Sequence, residues 1–87
     1  MFSNTDLPDT GTVDVHFAGA DEAFFDEIPA RFVAVHGHDH GQAVILGDGH
    51  GEVARFPFTD ATRETEHLWR FTGPEDDFYL TFHPEEQ

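Results

Sequence analysis

Seven histidines, no cysteine and a single serine set the chemistry open to these 87 residues. Neutral imidazole is a ligand for Zn, Ni and Cu, and three or four His, or His with carboxylate, complete a metal site. The densest patch is His36, Gly37, His38, Asp39, His40. In an extended segment positions 36, 38 and 40 point to the same side. The glycines at 37 and 41 argue instead for a turn, which breaks that alternation.

Other chemistries find less support. The His-x-His-x-Asp-His order of metallo-β-lactamase-like hydrolases is not met, because Asp39 directly follows His38 and one spacer is missing. Ser3 lies in a polar lead-in, and without cysteine no thiolate can act as nucleophile or metal ligand. Carboxylates are so numerous that no pair stands out as an acid and base. The run Gly47-Asp48-Gly49-His50-Gly51 is glycine-rich like a phosphate loop. It lacks the lysine and the following helix, and reads as a hairpin corner. The expectation is a protein without catalytic activity of its own. A metal-dependent hydrolase or dioxygenase at the histidine cluster is the enzymatic form to look for.

The elements that must position these histidines read mostly as strands. Residues 12–17 alternate, with Val13, Val15 and Phe17 on one face. Residues 31–36 and 42–47 are apolar on both faces and read as central strands. Residues 52–58 follow, with Ala54, Phe56 and Phe58 on one face; Pro57 cannot donate to a ladder and marks an edge or bulge. Residues 67–72 and 78–83 complete six strands. Residues 21–28 form the one helix candidate, with Asp21 as cap, Phe24 and Ile28 four apart, and Pro29 as stop. Residues 59–66 are polar and read as one helical turn behind Thr59 or Asp60, or as an ordinary loop. The fold class predicted is mainly β, with α+β as the alternative. It is an antiparallel meander sheet or small barrel of about six strands with one short helix. Residues 1–11 are expected to be a flexible lead-in, 12–84 one compact domain, and 85–87 an acidic tail.

In a simple meander the chain ends of alternate strands gather. His36, His38, His40, His67 and His83 then collect at one end of the sheet, with His50 at the other. That juxtaposition predicts a divalent-metal site for Zn, Ni or Cu as one functional reading. Its rival is that these are solvated loop histidines.

Charge points elsewhere. Eighteen Asp and Glu face four Arg and no Lys, for a net charge of −14. Phosphate recognition needs clustered Lys or Arg, so nucleic-acid binding is not expected. No apolar run approaches the ~20 residues of a membrane-spanning helix, and no secretory signal is read. Such a surface suits the cytosol of a salt-loving cell, where molar salt cuts the Debye length to about 3 Å. Mimicry of DNA is a second reading of the same acids. Ten Phe with Trp69 and Tyr79 argue against disorder. They also exceed what one small core comfortably hides. The function expected is therefore a cytoplasmic protein-interaction or adaptor domain that self-associates as a homodimer or meets another protein.

Overall fold

A computed structural model describes residues 2–38 and 41–85. Eight strands among them fold into two antiparallel sheets. In chain order they are β1 (Thr12–Phe17), β2 (Phe25–Pro29), β3 (Val33–His38), β4 (Gly41–Gly47), β5 (Glu52–Phe58), β6 (Asp60–Thr65), β7 (Leu68–Thr72) and β8 (Phe78–His83). The larger sheet has the order β2-β1-β8-β7-β6 and the smaller β3-β4-β5. Neither closes on itself, so the mainly β class holds while the barrel form does not.

The two sheets share one core. Val13, Val15, Phe71, Phe78, Leu80 and Phe82 come from the larger sheet; Val33, Val35, Val44, Leu46, Phe56 and Phe58 come from the smaller. Phe56 meets Phe78 with ring centroids 5.5 Å apart, and Phe58 meets Phe71 edge-on at 4.9 Å. The arrangement is a β-sandwich, whose inner faces interdigitate while the outer faces look in opposite directions. The chain changes sheets twice. A 3-10 turn at Ala30–Phe32 carries it from β2 to β3. Thr59 carries it from β5 to β6, its N–H donating to the carbonyl of Thr72 at 2.9 Å.

Two expectations are corrected. Residues 21–28 form no helix; their second half is β2, paired with β1. The spacing that imitates a helix is a β-bulge. Val13 pairs with Ile28 and Val15 with Phe25, so the partner strand carries one residue more than β1. That odd residue lets Phe25 and Ile28, three apart, pack on the same core. Glu27 takes a positive φ of 53° in the bulge, and its N–H donates to the Asp14 carboxylate at 2.8 Å. An eight-residue helix has little stability of its own, and the open edge of β1 offers these residues backbone partners instead. The second correction concerns residues 59–66, expected to be one helical turn or a loop. They hold β6, an edge strand whose side chains are nearly all exposed. With no buried face it has no reason to alternate, and only its backbone pairing with β7 defines it.

Residues 2–7, read from sequence as lead-in, contribute to the core. Phe2 is fully buried and packs against Phe58, Trp69, Phe71 and Phe82. Asn4 lies beside β3. Its side-chain amide donates to the Val35 carbonyl at 3.1 Å and accepts from the Val35 N–H at 2.7 Å, as a neighbouring strand would. Gly11, at φ 91°, lets this segment run against the backbone of His83, Pro84 and Glu85, where a Cβ would collide.

Candidate functional site

The histidines expected to converge are divided by this architecture. His36 lies in β3, between Val35, which faces the core, and Gly37; it pairs with Ala43 and its side chain is exposed on the outer face of the smaller sheet. His83 ends β8 on the outer face of the larger sheet, where its Nε2 meets the Asp14 carboxylate at 2.8 Å. These faces look away from one another, so His36 and His83 do not share a site. His67 occupies the β6–β7 turn, and its carbonyl accepts from the N–H of Phe82 at 2.8 Å, which keeps it at the His83 end. The side chain of His38, and all of His40 and Asp39, lie outside the described residues. Among the described residues no three His, Asp or Glu side chains are grouped to hold a metal ion. His50 sits in the β4–β5 hairpin, as expected, with its N–H donating to Asp48.

The Asp14–His83 contact exists because β1 pairs with β8, bringing the two ends of the chain together. Nothing in the local sequence announces it. Near it is an open cleft of about 470 Å³ lined by Asp9, Thr10, Gly11, Thr12, Pro29, Ala30, Arg31, His83 and Glu85. Two carboxylates beside one guanidinium and one imidazole give its walls mixed charge. It holds neither serine nor cysteine, and no nucleophile meets a base there.

The outer faces of the two sheets differ in chemistry. That of the larger sheet is polar. Thr12, Asp14 and His16 of β1 adjoin Tyr79, Thr81 and His83 of β8, with His16 stacked on Tyr79 at 5.1 Å. Arg70 of β7 forms an ion pair with Asp77 at 2.7 Å. This is the usual solvent side of an antiparallel sheet. On the smaller sheet, cross-strand rows place Ala34 beside Ile45 and Arg55, and His36 beside Ala43 and Pro57. Val53 falls at the irregularity of the β4–β5 register, between Glu52, paired with Gly47, and Ala54, paired with Leu46, and is 53% exposed. Ala43, at the centre of this outer face, is fully shielded by its neighbours. Around it the apolar Ala34, Ile45 and Pro57 are partly exposed, and His36 and Arg55 are exposed.

Its polar groups are balanced. The strands of the smaller sheet carry one acidic and one basic residue, Glu52 and Arg55. The guanidinium grips the carboxylate twice, with Nη2–Oε1 at 2.7 Å and Nε–Oε2 at 3.2 Å. That hydrogen bonding holds the Glu52 carboxyl below its ordinary value, with further help from the charges of Arg55 and His36. It raises the Arg55 guanidinium in turn. Strands of the larger sheet carry five acidic residues against two basic.

The edges of the smaller sheet are both obstructed. Asn4 occupies the Val35 N–H and carbonyl on β3, and Pro57 removes a donor from β5. Exposed apolar surface at the end of the sandwich is represented by Phe24, 60% exposed and packed edge-on against Phe17, Phe25 and Phe56.

Sequence pattern signals half of this face. Residues 31–36 and 42–47 are apolar at positions of both parities, so apolar residues fall on each side of the sheet. The contribution of Arg55 and Pro57 emerges only from the β4–β5 register. No family model, curated protein or solved structure matches the chain.

Proposed function

We propose that this chain is a small protein-interaction domain, an adaptor without catalytic activity of its own. It works through the outer face of the β3-β4-β5 sheet. The observation that carries the reading is that the outer face of the smaller sheet holds Ala34, Ile45 and Pro57, all partly exposed, where that of the larger sheet is polar. A solvated outer side gains nothing from apolar residues at those positions. The setting proposed is the cytosol of a salt-loving cell, which accounts for 18 acidic residues and the absence of lysine. In molar salt apolar contact holds while charge steering is screened, which suits a face of this composition.

Immobilised wild-type and Ile45→Glu chains, the variant first shown to be folded by far-UV circular dichroism and both exposed to a salt-loving cell's soluble proteins in molar KCl, test the reading. Binders, this chain included, should be retained by wild type and lost from the variant. Identical retention by both would remove the face from consideration.

A further inference from the structure

The geometry points to a separate binding site, in the cleft where the chain enters β1 and leaves β8, that takes a small zwitterion such as a neutral amino acid. Arg31 holds the ligand's carboxylate, and Asp9 and Glu85 hold its ammonium group.

Arg31 is the first support. The other arginines are occupied: Arg55 pairs with Glu52, Arg70 pairs with Asp77, and Arg63 donates to the carbonyls of Thr65 and Glu66. Arg31 makes no ion pair among the described residues, in a chain of 18 acidic residues. Its guanidinium carbon lies 4.8 Å from the centre of the Phe32 ring. Stacking of this kind steadies the plane of the guanidinium and leaves the donors at its edge open. Asp9 and Glu85 line the same cleft, yet neither closes on Arg31. Opposite charges held apart in one wall suit a ligand that carries both.

The framework is the second. The Ala30 N–H donates to the Gly11 carbonyl at 3.0 Å, and Gly11, at φ 91°, lies against the backbone of His83, Pro84 and Glu85. Thr12 pairs with Pro29 on one side and His83 on the other. Backbone from three segments is therefore fixed before any ligand arrives, and little chain is left to order on binding. The volume of about 470 Å³ is that of a small-molecule cleft.

Charge selects the ligand. A net charge of −14 repels a free anion before it reaches Arg31. A simple cation finds carboxylates over the whole surface and has no reason to prefer this cleft. A zwitterion has no net charge, escapes the repulsion, and meets both signs here, with a bidentate contact open to its carboxylate. Pro29, half-buried in the wall, offers apolar surface to a side chain. Because Asp9, Arg31 and Glu85 are exposed and salt screens them, the affinity is on the order of millimolar. No residue of the cleft belongs to the outer face of the β3-β4-β5 sheet, so the site stands apart from the proposed interaction surface.

Amide spectra of the full chain in molar KCl, titrated with L-leucine, test the site. Leucinamide, which lacks the carboxylate, and N-acetylleucine, which lacks the ammonium group, are the comparisons and need no variant. The expected result is saturable shifts at Gly11, Thr12, Arg31 and Glu85 with leucine, and binding of either analogue weaker by roughly tenfold or more. Arg31→Gln, at an exposed position and shown to be folded by far-UV circular dichroism, should lose the shifts. No saturable shift at tens of millimolar leucine overturns the site. Either analogue binding as tightly as leucine overturns it as well, since one charge would then suffice. Leucine binding that is unchanged in Arg31→Gln does the same.

Discussion

Phe2 provides the sharpest test of how this small core is completed. Its ring is fully buried among Phe58, Trp69, Phe71 and Phe82, with centroid distances from 4.8 to 6.5 Å. Phe2→Ala would open a cavity that the surrounding rings, tied into β5, β7 and β8, can collapse only in part. Such truncations cost about 3–5 kcal/mol. A domain of this length has a total stability on the order of 4–13 kcal/mol. A loss of that size lowers the melting temperature by at least ~12 °C, at about 4–8 °C per kcal/mol for a small domain. The assay is thermal unfolding in molar KCl, followed by far-UV circular dichroism. Phe24→Ala is the matched control, since Phe24 is 60% exposed and its loss should cost within about 1 kcal/mol. Asn4→Ala falls between them, because it leaves the Val35 N–H and carbonyl without their side-chain partner. If Phe2→Ala melts within a few degrees of wild type, the first residues are not part of the core and the burial argument fails.

Glu52 should titrate below the ordinary carboxylate value when its carboxyl carbon is followed by NMR, and Arg55→Ala should return it toward that value. Because the folded value is depressed, the pairing's contribution is complete above the unfolded pKa and lost as pH falls through the folded one; an unshifted Glu52 would deny the bidentate contact. Stability should also rise between dilute buffer and molar KCl, as screening relieves the repulsion of 18 acidic residues. Identical melting curves at the two salt concentrations would remove the basis for a salt-loving origin.

Legibility of the fold followed burial. Strands with one face in the core, β1, β5 and β8, show the two-residue alternation in their sequences, and their boundaries of 12–17, 52–58 and 78–83 coincide with the structure. β6 is exposed on nearly every side chain and leaves no such trace. β2 leaves a false one, since its bulge shifts the period from two to three and the pattern then resembles a helical face. Residues 2–7 carry too little sequence to show a period at all, and Phe2 reads as an isolated aromatic until the slot it fills is visible. The proposed metal cluster depended on a single meander. Once the chain changes sheets at Ala30–Phe32 and at Thr59, His36 and His83 part to opposite faces, whatever their spacing.

By itself the sequence determined what is local or additive: the β class, the strongly acidic surface, the absence of thiol chemistry, and the hairpin at Asp48 and Gly49. It also determined that the central strands carry apolar residues on both sides, because these occur at positions of both parities. Only the tertiary structure decided which strands pair, since register and sheet order depend on contacts between distant residues that no local pattern encodes. That folding brings Asp14 to His83, Asn4 to Val35, and Arg55 and Pro57 to the face of Ala43 and Ile45. The candidate interaction surface is therefore a property of the packed sheets, in which two short apolar segments acquire a third strand.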